Sequence, residues 1–210
     1  TTLASAKRKL RKSKRSTGAA RATAGSRSGH RPRKRFGQHF LEPAWVDKLI
    51  DALDASPDQT FLEIGPGRGA LTRPLAERVR QVVAVEIDRD LAAALPARVP
   101  SNVRLVLGDF LETDVGELLA GEPLPVRAAG NLPYNVASPI LFRLLHAADE
   151  GRRLRDATLM LQKEVADRLA ARPGAREYGA LAIQAALFAD LAGSTAPGVG
   201  SFRTISPEST

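Results

Sequence analysis

Short apolar runs alternate with stretches of helical period through most of the chain from Pro43 onward. The apolar runs predict strands at Thr60–Ile64, Val82–Glu86, Val103–Leu107, Val126–Ala129 and Ala157–Leu161. Between them the spacing predicts helices at about 70–79, 89–97 and 113–120. A further helix is expected over 138–147, starting near Pro139, because proline suits the first helical turn. Lys163–Ala171 and Tyr178–Leu191 carry two more helical patterns. Ahead of the first strand, Pro43–Leu53 places Trp45, Val46, Leu49, Ile50 and Leu53 on one side of a helix. Strands alternating with helices predict an α/β fold, with a mostly parallel sheet covered by helices on both faces. No internal repeat interrupts the pattern.

Ligands of such sheets sit at the carboxyl ends of the strands, and four of the predicted ends carry distinctive chemistry. The first runs into Glu63-Ile64-Gly65-Pro66-Gly67-Arg68-Gly69, a glycine-rich turn through which backbone can approach a ligand closely. The second ends in Glu86, placed to bind ribose hydroxyls. The third ends in Gly108-Asp109-Phe110, where Asp109 can accept from an adenine amino group and Phe110 can pack on the ring. The fourth leads into Asn131-Leu132-Pro133-Tyr134. There the Asn131 side chain and the Leu132 or Pro133 carbonyl can each accept a hydrogen from an exocyclic amine. Tyr134 offers a ring on which a flipped base can stack. Taken singly, these are an ordinary turn, a strand end, a cap and a proline bend. Their order and spacing make one nucleotide site. The spacing Gly-x-Gly-x-Gly departs from the Gly-x-Gly-x-x-Gly of dinucleotide sites, so with Asn131–Tyr134 it favours S-adenosylmethionine over NAD.

Charge is uneven along the 210 residues, whose net value is +8. Residues 1–35 hold 13 Lys or Arg and no acid, leaving the rest of the chain at −5. Residues 1–32 have too little apolar content for a core and are expected to form a basic, disordered tail. That tail reads as an electrostatic arm for RNA phosphates, as a solubilising extension or, being free of acids, as a transit peptide. No apolar run approaches the roughly 18 residues of a membrane span. Cysteine is absent, and His30, His39 and His146 are scattered, so no metal site is expected. A cytoplasmic monomer is the expected state.

The ordered set of motifs resembles the rRNA adenine N6,N6-dimethyltransferases over residues 33–202. The carrying pieces are Arg35-Phe36-Gly37-Gln38-His39-Phe40-Leu41, Glu63–Gly67, Val85-Glu86-Ile87-Asp88, Gly108-Asp109, Gly130–Asn135 and Met160-Leu161-Gln162-Lys163-Glu164-Val165. The resemblance implies a Rossmann-like class I S-adenosylmethionine-dependent methyltransferase. It implies cofactor contacts at His39, Leu41, Gly65, Glu86, Asp109 and Asn131, catalysis by Asn131, Leu132, Pro133 and Tyr134, and base stacking on Tyr134 and Phe202. At His39 the family commonly has Asn. The likeness is strongest to the branch that dimethylates two adjacent adenosines near the 3′ end of small-subunit rRNA, within immature ribosomal subunits during ribosome biogenesis. Methylation of large-subunit rRNA, as in macrolide resistance, and a non-catalytic role in ribosome assembly are the alternatives. After Phe202 the family continues into a small helical domain, whereas residues 203–210 diverge, so a C-terminally truncated member is expected.

Overall fold

A computed structural model describes residues 43–149, 153–192 and 199–204, with backbone only for the stretch from Phe188 onward. The expected basic tail, His39 and Leu41 lie outside the described residues.

Among the described residues seven strands form one sheet: β1 (Thr60–Ile64), β2 (Gln81–Glu86), β3 (Val103–Leu107), β4 (Val126–Asn131), β5 (Leu154–Met160), β6 (Ala189–Ala192) and β7 (Val199–Thr204). Their order is β3-β2-β1-β4-β5-β7-β6. The first five are parallel, and β7 is antiparallel to both β5 and β6. Among the described residues seven α-helices accompany them: α1 (Pro43–Leu53), α2 (Thr72–Ala76), α3 (Arg89–Ala94), α4 (Val115–Leu118), α5 (Tyr134–Asp149), α6 (Lys163–Leu169) and α7 (Ala180–Phe188).

The continuous apolar runs of β1 and β2 are explained by cover on both faces. Successive residues of a strand point to opposite sides. Leu62, Ile64, Val83, Val85 and Ala128 accordingly enter one core with α4 to α7. Phe61, Val82, Ala84 and Ala129 enter the other with α1 and α2. The sheet reverses its winding between β1 and β4, which opens a crevice at their carboxyl ends. Gly130 of β4 lies opposite Ile64 of β1 there. A Cβ on Gly130 would lie 2.9 Å from the Ile64 carbonyl oxygen, so only glycine fits. Side-chain caps start two helices on the crevice side: Asp88 accepts from the Asp90 and Leu91 N–H groups, and Asp114 from that of Glu117.

Four expectations need correction. Helix α5 starts at Tyr134, five residues before Pro139, and holds that proline in its interior. Burial of Ala137, Ile140, Leu141, Leu144 and Leu145 outweighs the lost backbone bond. Strand β5 starts at Leu154, ahead of the expected Ala157. Its polar start hid it, because Asp156 is buried against Arg127 at 2.8 Å. Strand β4 runs on to Asn131, paired with Met160, so the asparagine is itself a strand residue. Finally, Tyr178–Leu191 is not one helix. Helix α7 spans Ala180–Phe188 and passes into β6 without a glycine or proline. The strand there is set by pairing with β7, a partner distant in sequence.

Candidate active site

A cavity of about 470 Å³ opens at the carboxyl ends of β1, β2, β3 and β4, a size ordinary for a small-molecule site. The Gly65–Gly69 turn forms one wall. Gly65 and Gly67 have φ of +70° and +59°, a left-handed backbone that side chains other than glycine rarely adopt. A Cβ on Gly65 would meet nothing within 4 Å, so conformation and an open approach for ligand, rather than packing, call for glycine there.

Glu86 closes the next wall. It is buried, and its two carboxylate oxygens accept the backbone N–H groups of Gly67 (2.9 Å) and Asp88 (2.8 Å). These bonds tie the end of β2 to the glycine turn and fix the rotamer. A carboxylate has about four acceptor positions, so capacity remains for ligand hydroxyls. Asp109 lines the cavity from the end of β3, with Oδ1 accepting the Leu111 N–H at 2.9 Å. Phe110 is buried in the core and also reaches the cavity.

Asn131, Leu132 and Pro133 line the same space. Leu132 is buried in the core and lines the cavity, and its N–H donates to the Met160 carbonyl, which anchors the segment. The Pro133 carbonyl accepts the Val136 N–H at 3.2 Å. Of the two expected backbone acceptors, Leu132 is therefore the less committed. Tyr134 does not line the cavity; it stands 60% exposed between two residues, Pro133 and Asn135, that do.

Phe202 is placed differently. Its backbone is opposite Ala157, three positions along β5 from the Met160 level at which Asn131 lies. That is about 10 Å along a strand. The structure brings Gly65, Glu86, Asp109, Asn131, Leu132 and Pro133 together; the Phe202 side chain lies outside what is described.

Several lining residues carried no expectation. Ile87, 42% exposed beside Glu86, presents an apolar side chain to the cavity, and Trp45 reaches it from α1. Met160, Leu161 and Gln162 line the far side. They belong to a recognised motif, but nothing in the motif's composition marks them as site residues. The most informative omission is Glu63, a buried carboxyl within β1 that also lines the cavity. Burial pushes it up to about 8; the Thr72 hydroxyl draws it back somewhat without closing a hydrogen bond, and Glu86 adds to the rise. Its place within an apolar strand was the signal available in the sequence.

Among the described residues no cluster of His, Asp or Glu could hold a metal, and no helix is long and apolar enough to cross a membrane.

Known proteins resemble this arrangement closely. Residues 29–192 match the family described as "Ribosomal RNA adenine dimethylase". The chain is 49% identical over 158 residues to the ribosomal RNA small subunit methyltransferase A of Aromatoleum aromaticum, covering 74% of this chain and 57% of the relative. To that of Leptothrix cholodnii it is 45% identical over 155 residues, covering 73% and 56%. The chain thus spans a little over half the length of these curated relatives. Among solved structures, a dimethyladenosine transferase from Plasmodium falciparum superposes with a TM-score of 0.63 at 28% identity, over 78% of this chain and 61% of that one. The 23S rRNA methyltransferase ErmE superposes at 0.65 with 25% identity, over 80% and 70%. The fold is that of the class I S-adenosylmethionine-dependent methyltransferases.

Proposed function

The chain belongs to the ribosomal RNA adenine dimethylase family, and from that premise we propose that its cavity binds S-adenosylmethionine and methylates N6 of two adjacent adenosines near the 3′ end of small-subunit rRNA. The convergence of the glycine turn, Glu86, Asp109 and Asn131 on one cavity carries the reading. Small-subunit rRNA is favoured because relatives named for it share 45–49% of matched residues, against 25% for the large-subunit enzyme ErmE. The natural setting is an immature small ribosomal subunit in the cytoplasm.

The residues present fit the cofactor. The open face of Gly65 admits close approach, Glu86 retains acceptor capacity for a ribose diol, and Asp109 offers an acceptor for an adenine amine. Ile87 and Phe110 supply apolar walls for a purine. When bound, the cofactor supplies a methyl group on a sulfonium, which is already an activated donor. The protein's task is then mainly positioning.

Adenine N6 is a weak nucleophile because its lone pair is delocalised into the ring. Asn131 Oδ1 and the Leu132 carbonyl accept the two N6 hydrogens, which favours a more tetrahedral nitrogen and directs the lone pair outward. No strong general base is needed, since the surplus proton leaves to solvent. After the first methylation one N6–H remains, so the second round proceeds with a single acceptor engaged. Tyr134, exposed beside the cavity, stacks on the flipped base, worth roughly 1–3 kcal/mol. Tyr134, at the start of α5 beside the cavity, is the platform this reading relies on.

Undermethylated small and large subunits incubated with the protein and labelled S-adenosylmethionine, followed by nucleoside analysis, test this. Labelled N6,N6-dimethyladenosine in small-subunit rRNA is expected. Label only in large-subunit rRNA would transfer the chain to the macrolide-resistance type. Cofactor binding with no label in either would favour an assembly role without turnover.

A further inference from the structure

Glu63 occupies an unusual position for a carboxyl group. It is 2% exposed in the middle of a parallel sheet, and its Oε2 has no hydrogen-bond partner. The Thr72 hydroxyl beside it is also buried and unpartnered. Strand alternation puts Glu63 on the face of Phe61, toward α1 and α2, yet it borders the cavity. Buried carboxylates are normally paired or fully hydrogen-bonded, because desolvation of an unpaired charge is costly.

Among the described residues, the surroundings do not supply the missing charge. From β2 comes Glu86, whose negative charge opposes ionisation of Glu63. From β3 comes Asp109, a second acid on the cavity wall. Helix α1 contributes Trp45 to that wall, and α2 contributes only the Thr72 hydroxyl. Arg68, from the glycine turn, is the one cation among the described lining residues, and it already has an interaction of its own. The described lining is therefore acidic, with Glu63, Glu86 and Asp109 in it. Glu86 also differs from Glu63 in that both its oxygens accept backbone N–H groups.

We propose that Glu63 is a proton-linked positioning residue: it carries a proton in the empty cavity and releases it to solvent when the cationic end of the methyl donor enters. The inference rests on the cavity's being the S-adenosylmethionine site. The step balances simply. The carboxyl O–H bond breaks, the proton passes to water, and the carboxylate left behind offsets the entering positive charge. Burial holds the proton at neutral pH in the absence of ligand, consistent with the upward displacement of this group to about 8. Binding that releases a proton strengthens as pH rises, by up to about tenfold in affinity per pH unit while the free form is protonated and the bound form ionised.

Isothermal titration of the full chain with S-adenosylmethionine, in two buffers of different ionisation enthalpy, counts the protons. Working between about pH 6 and 7 stays below the range near 7.7–8.0 where an α-amino group titrates. The wild-type protein is expected to release close to one proton per ligand, with affinity rising across the window. Glu63→Gln is expected to bind without proton release and with affinity independent of pH. Thr72→Val removes the hydroxyl that opposes the rise, so its pH dependence should extend to higher pH. Binding by the wild type with no proton exchange, or undiminished release from Glu63→Gln, would overturn the proposal and leave the cofactor site standing. No binding at all to the wild type would overturn the cofactor reading, and this inference with it.

Discussion

Two polar clusters lie in the same sheet, one near each end of the parallel strands. Near the amino ends, Arg127 of β4 pairs with Asp156 of β5 at 2.8 Å. The same guanidinium donates to Gln59 Oε1 and the Asp54 carbonyl, and it covers the Phe61 ring with 5.0 Å to the centroid. At the carboxyl ends, Glu63, Glu86 and Asp109 are three acids around one cavity, and Glu63 Oε2 lacks a partner. The first cluster is internally complete: opposite charges, donors and acceptors are matched within the protein. The second gathers like charges about a space. A completed buried network contributes rigidity, whereas an incomplete one marks a place where a ligand completes it. Strands β4 and β5 carry the first cluster and the ends of β1, β2 and β3 the second, so within one sheet scaffold and site are distinguished by which end of the strands the polar group occupies.

That contrast can be broken by substitution. The largest loss of stability is expected at the amino-end cluster, where Asp156→Ala leaves Arg127 buried and unpaired. A loss of about 3–5 kcal/mol is expected in urea unfolding. An Asp156→Ala protein as stable as wild type would remove the distinction. At the other end, Asn131→Ala should leave the unfolding midpoint nearly unchanged while lowering methylation about 10²–10³-fold, as for loss of one transition-state hydrogen-bonding group. Single-turnover rates with undermethylated subunits check it, and unchanged turnover would sink the catalytic role of Asn131.

Glu63 gives the contrast a pH signature. Its folded-state value of about 8 lies above the ordinary carboxyl value of 4.5, so the folded protein holds a proton that the unfolded chain has lost between those limits. The group's contribution is fully present below about pH 4.5 and is lost as pH rises toward about 8. In the absence of ligand, Glu63→Gln should therefore raise the melting temperature by several degrees at pH 8 and by much less at pH 5. Equal shifts at both pH values would contradict the assignment. Smaller still, Tyr134→Ala should cost roughly 1–3 kcal/mol of rRNA affinity without loss of stability, since the ring is exposed. Phe202→Ala should leave the single-turnover rate within about twofold of wild type, because its backbone sits some three residues from the level of Asn131.

The sequence revealed the parallel half of the molecule better than its antiparallel edge, and the reason is physical. Strands β1 and β3 are apolar runs bounded by turn residues, and their limits coincide with expectation. Their carboxyl ends carry the glycine turn and Asp109, so fold and site were legible together. Strand β5 was foreshortened because Asp156 looks solvent-facing until Arg127 is placed beside it. Strands β6 and β7 had no local signal, since what makes Ala189–Ala192 a strand is its antiparallel partner at Ser201–Thr204. The burial of Glu63 is not legible in its motif, because burial is a property of the assembled sheet. Ile87 and Met160 are likewise site residues by position alone.

The contrast between the two clusters turns on whether the carboxyl-end acids face a ligand. A crystal structure of the chain with S-adenosylhomocysteine tests this most directly. The ligand should occupy the cavity, with its ribose hydroxyls on Glu86, its adenine amine on Asp109 and its amino acid end toward Gly65 and Glu63. Ligand bound elsewhere on the sheet, or a cavity empty at saturating concentration, would contradict it.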